Sequence, residues 1–599
     1  MGIGLLIFLA ALLQYANTIG HQYTWDDAIV ITNNSRVQAG LAGIPSHFEE
    51  RVRVNMEDFT GYRPITLSTF SLDQELFGNN PQMAHLVNVL LYALLCWVLY
   101  RTLRLIFPKH HFAFPLLVTA LFLVHPLHVE AVANIKSRDE ILALLFGLLS
   151  VAAFVRWYRK GQMLQLGLTG FLFVLAFLSK EHALLFFLVY PLLVFSVLEA
   201  DRKQKMRALA VSGGMLLLVS GVLFAFTNRL PVQSAEVKPA GYLESQRLGN
   251  CYAVKSNMPE RVGNAFVLVG RYLTDFVAPV SQTYYSGYDV IPFLPLGSPV
   301  LILVSLAIIG LAAWALWQIY CRRHPEIAFG ILFFLLFITL YLHLFKLLSD
   351  TVADRFMFTP SLGLCIAAVA GLALLLRVDF RATASQESLL PTPASKRLFA
   401  ALGVVVVLFA AKTALRNPAW HDNYTLFTTD LPKLENCARA HFHYASMSSQ
   451  LIGTPEAAER KLPITQEKML HHFKRAVEIT QESYYAWRDW GRNLIRFNQY
   501  ARADSVLGAL ATAYPDLADP PFFQGKARYF KEDFAGAARV LEISLHLDPI
   551  PNETREMLGR SLERSGQFQR AEEVLQEAIS RSPDHLPFYD ALADTYFDN

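Results

Sequence analysis

Two adjacent carboxylates, Asp26 and Asp27, lie in the segment Gln22-Tyr23-Thr24-Trp25-Asp26-Asp27-Ala28, directly after the first apolar run of the chain. Like charges side by side at a low-dielectric boundary repel each other, which raises the pKa of one of them. Such a pair suits general base catalysis, in which one carboxylate takes a proton and the other orients the group that loses it. A turn or helix-capping role explains the same string, because Thr and Asp are common capping residues.

Cationic side chains recur at the ends of later apolar runs, where they suit an anionic ligand. Arg355, Lys180 and Arg138 have these positions, and Arg63 lies in the string Tyr62-Arg63-Pro64. A phosphoryl anion is stabilised by charge-assisted hydrogen bonds, so each is a candidate donor to a phosphate, with Arg355 first. The alternatives are contact with lipid headgroups, or pairing with neighbouring acids. Those acids are Asp139, Glu181 and Asp354. Arg63 either holds its loop or reaches a ligand.

A third polar group, His125, His128 and Glu130, lies between two apolar runs. Pro126 prevents one regular helix face from presenting both imidazoles, so the sequence predicts no metal site here. Hydrogen bonding to an acceptor or to a phosphate is one interpretation, with Glu130, Glu181 and Asp354 in supporting roles. A structural junction is the other. Whether a divalent metal is needed stays open.

The composition places these residues in a membrane protein. Of 599 residues, 53% are apolar and 17% are charged, and the mean hydropathy is +0.31, which is too apolar for a soluble domain of this size. A net charge of +3 gives no reason to expect a nucleic acid partner. Five cysteines without paired spacing predict no disulfide framework.

About eleven apolar runs are long enough to cross roughly 30 Å of hydrocarbon. They lie near residues 2–19, 85–107, 112–130, 140–156, 164–180, 182–198, 207–227, 297–320, 327–348, 356–377 and 397–415. The further segment 262–280 is interrupted by Arg271 and Asp275 and predicts a re-entrant or interfacial helix. Lys and Arg collect in alternate short loops, which predicts that the candidate site residues lie outside the cytoplasm.

The last third of the chain is polar and periodic. Pro515, Pro549 and Pro583 are 34 residues apart, and columns of Gly, Ala, aromatic and Leu residues share that period. This pattern is typical of tetratricopeptide repeats, which stack into an α-solenoid that commonly holds a peptide. We expect about four repeats plus a capping helix in residues 417–599, after a membrane domain in residues 1–416. A scaffold that only orders the enzyme or its dimer is the alternative role.

The order of motifs resembles a known family. The motifs are Trp25-Asp26-Asp27, Gly61-Tyr62-Arg63-Pro64-Ile65-Thr66, His85-Leu86-Val87-Asn88, His125-Pro126-Leu127-His128-Val129-Glu130-Ala131-Val132, Ser179-Lys180-Glu181 and Ala353-Asp354-Arg355-Phe356. They are similar to those of the transmembrane O-mannosyltransferases with tetratricopeptide repeats that modify cadherins, and of their bacterial relatives. The resemblance implies an all-α fold: a membrane helical bundle of the C-type glycosyltransferases followed by the solenoid.

The same resemblance implies a dolichyl or undecaprenyl phosphate sugar as donor and an exported protein as acceptor. The predicted function is transfer of one sugar, mannose by family analogy, to Ser or Thr hydroxyls, with Asp26 or Asp27 as base. The chain would lie in the bacterial inner membrane facing the periplasm, or in the endoplasmic reticulum membrane facing the lumen, with membrane lipids around it. Two competitors are a transferase acting on a lipid or surface glycan, and a non-enzymatic repeat scaffold.

Overall fold

The described residues fold mainly into helices. The computed structural model describes residues 2–49, 53–54, 58–59, 62–199, 201–227, 257–287, 290–345, 347–348, 350–381, 392–481 and 483–598. Within this part of the chain, the one β ribbon pairs Arg53–Val54 with Asp58–Phe59 in antiparallel register. The main division into two compact units falls between Lys433 and Leu434. The predicted all-α class is confirmed.

The first unit contains the apolar helices. Its α-helices are Gly2–Tyr15, Ser35–Gln38, Ile44–Glu49, Pro64–Phe77, Pro81–Ile106, Ala113–Val124, Val129–Ala133, Arg138–Lys160, Met163–Ser179, Phe186–Ser196, Arg202–Thr227, Met258–Val277, Pro299–Tyr320, Pro325–Ile338, Phe358–Leu375, Pro393–Arg416 and Asn423–Asp430. Short 3-10 turns join several of them, and Ala28–Thr32 forms one π turn after the acid pair.

Local sequence sets many of these helix ends. Asn80 caps the Pro81–Ile106 helix by accepting a hydrogen bond from the Met83 amide at 3.1 Å, with Pro81 in the first turn. Asn257 and Glu260 form a capping box at the start of Met258–Val277. Gly161, with a φ of 69°, ends the Arg138–Lys160 helix in the left-handed conformation that glycine adopts without strain.

Each predicted apolar run contains a helix, although the run 327–348 is helical only as far as Tyr341. The count of eleven spans is not confirmed. Five helical segments of the described chain are long and apolar enough to cross a membrane alone: Pro81–Ile106, Ile135–Lys160, Pro299–Tyr320, Asp354–Leu375 and Pro393–Trp420. A sixth crossing arises if Ala113–Val124 and Pro126–Ala133, bent by 57°, act together. The apolar helices Gly2–Thr18, Met163–Ser179, Glu181–Ser196 and Pro325–Tyr341 are shorter. These helices define a multi-pass membrane protein.

The segment predicted to be interfacial or re-entrant forms the Met258–Val277 helix. Its inner face buries Leu268, Val269, Tyr272 and Phe276, while Arg271 on the other face has 42% of its side chain exposed. One apolar and one charged face suit a helix at a boundary between water and hydrocarbon. The interfacial position remains a prediction.

Two helices of the first unit cross at a pair of glycines. A Cβ on Gly330 would lie 2.4 Å from the carbonyl oxygen of Gly363, and one on Gly363 would lie 2.3 Å from that of Gly330. Any side chain at either position would therefore separate the helices Pro325–Ile338 and Phe358–Leu375. Small residues at such crossings let membrane helices pack backbone to backbone.

The second unit has the predicted solenoid. Its helices are Ala438–Leu451, Pro455–Glu459, Gln466–Ile479, Tyr484–Arg496, Tyr500–Ala513, Asp519–Phe530, Phe534–Leu547, Asn552–Arg564, Phe568–Arg581 and Leu586–Asp598. In each regular repeat a glycine of the first helix faces a leucine of the second. A Cβ on Gly491, Gly525 or Gly559 would lie 2.5–2.6 Å from Leu507, Leu541 or Leu575. The helix pairs agree with the 34-residue period, and Leu586–Asp598 is a helix where the sequence predicts a capping helix. The number of repeats and the domain bounds stay predictions.

Candidate active site

The acid pair lies in a tight turn. The Thr24 amide donates to Asp27 Oδ2 at 2.9 Å, and the Asp27 amide donates to the Thr24 carbonyl at 3.0 Å. Trp25, between them, has a φ of 53°, which is unusual for a residue with a side chain. Such a conformation persists only where surrounding contacts hold it. We call residues 22–28 the acid turn.

Contacts from a distant segment hold the acid turn in place. The Trp25 amide donates to Asn423 Oδ1 at 2.6 Å, and the Gln22 amide donates to the His421 carbonyl at 2.8 Å. The Trp25 ring packs edge-on against Tyr284 at 5.0 Å and Phe427 at 5.7 Å between ring centroids. Residues 417–433 therefore belong to the compact unit of the acid turn, although hydropathy falls at Asn417.

The same distant segment is fixed by a buried ion pair. Arg416 donates to both carboxylate oxygens of Asp430, at 2.5 and 2.7 Å, and Asp430 Oδ2 also accepts the Tyr284 amide at 2.7 Å. Asp430 is fully buried. Through Asp430, this bidentate pair connects the end of the helix Pro393–Arg416 to the extended segment around Tyr284. It therefore fixes two of the walls against which the acid turn packs.

The two acids have different environments. Asp27 is fully buried, and its second oxygen accepts the Lys136 amide at 2.7 Å. Asp26 keeps 29% of its side chain exposed and pairs with Lys136 Nζ at 3.5 Å. Lys136 therefore holds both acids, one through its backbone and one through its side chain. Asp26 is the carboxylate that a ligand can reach.

Burial raises the pKa of Asp27 to about 7, although hydrogen bonds from the Thr24 and Lys136 amides act in the opposite direction. The charge of Asp26 contributes less than either the burial or these hydrogen bonds. The sequence prediction of a raised pKa in the pair agrees with this direction. The main cause is removal from water, not repulsion between the acids.

Arg355, the first candidate for phosphate binding, lies close to the acid turn. Its guanidinium pairs with Glu130 and, at 2.5 Å, with Asp350, and its amide donates to Glu130 at 2.9 Å. The charge of Asp26 is near enough to act on this guanidinium. Asp354 lies beside Glu130 and accepts a hydrogen bond from Gln282 at 3.3 Å. The structure thus brings Asp26, Arg355 and Glu130 together.

Carboxylates outnumber cations in this group. The acids are Asp26, Asp27, Glu130, Asp350 and Asp354, and the cations are Lys136 and Arg355. An anionic ligand therefore gains little from the overall field and needs direct contact with a cation. Sequence reasoning did not foresee this excess, because Asp350 and Lys136 were not among its candidates.

Arg63 and Lys180 form a second ionic cluster. Arg63 donates to both oxygens of Glu181, at 2.9 and 3.0 Å, and to Asp139 at 2.5 Å. Lys180 bridges Asp139 at 3.0 Å and Glu140 at 2.7 Å. Of the two predicted roles for Arg63, this arrangement agrees with holding the loop to the ends of two apolar helices. Arg63 keeps 16% of its side chain exposed.

Arg138 has no exposed surface. Its guanidinium donates to Asn88 at 2.6 Å, pairs with Asp73 at 2.6 Å and lies 4.6 Å from the centre of the Phe70 ring. It also bonds Thr69 and the Ala84 carbonyl. This cation ties three helices together, because its partners lie on Pro64–Phe77 and on Pro81–Ile106 and Arg138 itself begins the helix Arg138–Lys160. It is not placed where a headgroup phosphate would reach it.

His125 and His128 are also buried with both ring nitrogens engaged. His125 contacts the Phe276 carbonyl at 3.1 Å and the Leu127 amide at 3.3 Å. His128 contacts Tyr92 at 3.2 Å and Ser361 at 2.8 Å. This geometry agrees with a structural junction at the bend between two helices. In the described residues, no group of three His, Cys, Asp or Glu side chains is arranged to share a metal ion.

A small polar cleft lies beside Asp354, the residue that precedes Arg355 in the chain. The extended segment 281–286 runs beside Val352, bonded through Ser286, and forms one wall. Asp354 forms a second wall, and Arg271 and Asp275 of the Met258–Val277 helix form a third wall. The cleft is small, with room for about one water molecule. We call it the polar cleft.

Sequence reasoning missed several residues that build this region. They are Lys136, Gln282, Asp350, Arg416, Asn423 and Asp430. Lys136 lies in a segment already recognised as polar and could have been found there. Asn423 lies 398 residues from its partner Trp25, so no local pattern points to it.

The fold and the site define the class of this protein. It is a multi-pass helical protein with a buried ionic site and a small polar cleft in its first unit, and with a tetratricopeptide solenoid in its second unit. Residues 64–224 match the sequence model of a family described as dolichyl-phosphate-mannose-protein mannosyltransferases. The chain is 26% identical over 529 residues to the protein O-mannosyl-transferase TMTC1 of Homo sapiens, covering 80% of this chain and 55% of that protein. These matches confirm the family resemblance drawn from the motifs.

Two further relatives have the same description. TMTC1 of Mus musculus is 24% identical over 617 residues, covering 86% of this chain and 60% of that protein. TMTC3 of Mus musculus is 24% identical over 622 residues, covering 96% of this chain and 60% of that protein. The chain spans 55–60% of the length of these curated relatives.

Proposed function

We propose that this protein is a membrane glycosyltransferase that moves one mannose from a polyprenyl phosphate carrier to a Ser or Thr hydroxyl of an exported protein. The observation that carries the proposal is the position of Asp26. It is a partly exposed carboxylate on a turn fixed by distant contacts, with Lys136 at 3.5 Å and with Arg355 close enough for their charges to interact. The family match of residues 64–224 supports the donor and the sugar.

Asp26 is the proposed base. The acceptor hydroxyl gives its proton to this carboxylate as its oxygen bonds to the anomeric carbon. The bond between that carbon and the phosphate oxygen breaks, and its electron pair leaves with the carrier phosphate. Asp27 shapes the turn, because both of its oxygens already accept backbone hydrogen bonds and it is fully buried.

Arg355 is the proposed donor to the leaving phosphate. Its guanidinium is paired with Glu130 and Asp350. When the donor binds, the guanidinium therefore exchanges a hydrogen bond to one of these carboxylate oxygens for a hydrogen bond to a phosphoryl oxygen. Arg63 and Lys180 support the site by fixing the helix ends around Asp139. Arg138 and the two histidines fix the helices behind it.

The solenoid is the proposed site for the exported acceptor protein, and the acid turn faces the compartment outside the cytoplasm. The periplasm and the endoplasmic reticulum lumen both fit this orientation. The distribution of Lys and Arg in the short loops supports it.

Mass spectrometry of exported proteins tests the proposal. Cells that carry the protein should show a hexose on specific serines or threonines, and cells without it, or with Asp26→Asn at equal abundance, should lack it. Glu199→Gln is a suitable control, because this carboxylate is exposed and pairs only with the side chain of Lys109 among the ion pairs of the described residues. An unchanged set of modified residues in cells lacking the protein would refute a transferase acting on proteins.

A further inference from the structure

We propose that Lys136 is the positioning residue of the base: its ammonium orients the Asp26 carboxylate and balances its negative charge, without contacting the donor. This inference rests on the proposed function and deepens it, because it assigns a role to a side chain that the transfer step does not use. Lys136 Nζ lies 3.5 Å from Asp26 Oδ2, and the lysine side chain is 13% exposed.

The backbone around Lys136 is fixed on both sides. Lys136 lies in a 3-10 turn that leads into the next helix. The side-chain amide of the buried Asn88 donates to the Ile135 carbonyl at 3.3 Å, and its oxygen accepts Arg138 Nε at 2.6 Å. The Lys136 amide itself donates to Asp27 Oδ1 at 2.7 Å. The ammonium therefore reaches the acid turn from a backbone that has little freedom to move.

Lys136 has a looser contact than other cations of this unit. Four of them each have a carboxylate oxygen within 3.0 Å: Arg63, Lys180, Arg138 and Arg355. Among the described residues, the Lys136 ammonium has one ion pair, at 3.5 Å, and donates no hydrogen bond. At this distance it attracts Asp26 without occupying the lone pairs that must accept the proton of the acceptor hydroxyl.

The charges around Lys136 favour a position on the acceptor side of the reaction. The charge of Lys136 also acts on Asp139, so two carboxylates attract the ammonium. In a direct displacement the base and the leaving phosphate lie on opposite sides of the reacting carbon. A cation beside the base carboxylate is therefore on the acceptor side, and Arg355 remains the proposed ligand of the phosphate.

Steady-state transfer by the full chain in nanodiscs tests this role, with polyprenyl-phosphate mannose and a Ser/Thr-rich peptide as substrates. Lys136→Gln removes the charge and keeps the backbone hydrogen bond to Asp27. It should lower kcat about tenfold with the KM for the donor unchanged, because a misplaced base affects the transition state and not donor binding. Lys136→Arg keeps the charge and should recover most of this loss. Lys109→Gln removes an exposed charge paired with Glu199 and should change neither constant.

A double variant shows whether Lys136 acts through Asp26. In the Asp26→Asn background, Lys136→Gln should cause no further loss of kcat, because no charged base is left to position. The denaturant unfolding midpoint of Lys136→Gln should match that of wild type, since a partly exposed ion pair contributes little to stability. A purely structural role predicts a lower midpoint and the same loss of kcat in both backgrounds.

A wild-type kcat in Lys136→Gln would overturn the assignment. A raised KM for the donor at unchanged kcat would also overturn it, because Lys136 would then be a phosphate ligand, and so would a loss of kcat that persists in the Asp26→Asn background. If Lys136→Gln does not fold, Lys136→Met gives the same comparison, because its side chain is also unbranched and uncharged. A wild-type protein that transfers no mannose would instead refute the proposed function.

Discussion

The site of the first unit and the repeats of the second are stabilised by contacts of very different range. In the acid turn, Trp25 bonds Asn423 across 398 positions of the sequence, and Arg355 bonds Glu130 across 225. In the solenoid, Gly491, Gly525 and Gly559 each meet a leucine of the next helix. Many segments must therefore be in place before the site exists, whereas a repeat needs only its neighbours.

This difference predicts different responses to substitution. A change at any wall of the site should affect both its geometry and the folding of the unit around it, because its charges are buried and mutually paired. A change within a repeat should stay local, because each helix pair contacts only the adjacent pairs. Three substitutions test this contrast.

The largest effect is expected from Glu130→Ala. It removes a buried partner of Arg355 and leaves the buried guanidinium in an ion pair with Asp350. Breaking a buried ion pair from one side costs about 3–5 kcal/mol. We expect a loss of stability of this order and loss of transfer, measured by denaturant unfolding in detergent. Glu199→Ala, which removes an exposed partner of Lys109, is the control and should change neither. Equal stability of Glu130→Ala and wild type would contradict the account of the site.

A smaller, pH-dependent effect is expected from Asp27→Asn. The pKa of Asp27 is raised from 3.8 to about 7 in the folded protein. A raised acid pKa means that the protonated form is favoured on folding, so stability falls as pH rises from about 4 to about 7, at roughly 1 kcal/mol per pH unit. The variant should lack this slope. Unfolding of both proteins at pH 5 and pH 7.5 measures it, and parallel pH dependences would show that Asp27 does not titrate in this range.

The smallest effect is expected from Gly525→Ala in the solenoid. The added methyl would lie 2.5 Å from Leu541, and such overpacking costs about 1–3 kcal/mol, less about 1 kcal/mol gained from helix propensity. Hydrogen exchange of the Phe534–Leu547 helix in the full chain should accelerate, with donor binding unchanged. Leu541→Ala makes room for the added methyl group, so the double variant Gly525→Ala/Leu541→Ala should lose less stability than the sum of the two single variants. Strict additivity of the two changes would exclude the contact as the cause.

The same contrast explains what the sequence could predict. The solenoid was predictable because Gly525 and Leu541 recur at a fixed period that a single sequence displays. The two acids and Arg355 were chosen as candidates because residue type and position at the ends of apolar runs restrict their chemistry, and their roles stay predictions. The walls of the site were not predictable, because Asn423, Asp430 and Lys136 reach the acid turn only after the helices have packed.

Residue type alone also did not distinguish cations that face a ligand from those that hold helices. Arg138 and Arg355 both occupy span ends in the sequence, but Arg138 is fully buried among neutral partners and Asp73, while Arg355 lies near Asp26. Residue type also did not distinguish the two acids of the turn from each other. Burial separates Asp27 from Asp26, and burial depends on the full fold.

Transfer by the purified protein tests the central claim, that Asp26 is the base of a glycosyltransferase. The protein in nanodiscs is given polyprenyl-phosphate mannose and a Ser/Thr-rich peptide, and mannosylated peptide is quantified over time. The account predicts that Asp26→Asn lowers kcat by at least about 100-fold, the contribution typical of a general base, with the KM for the donor unchanged. Transfer by Asp26→Asn at the wild-type rate would contradict it.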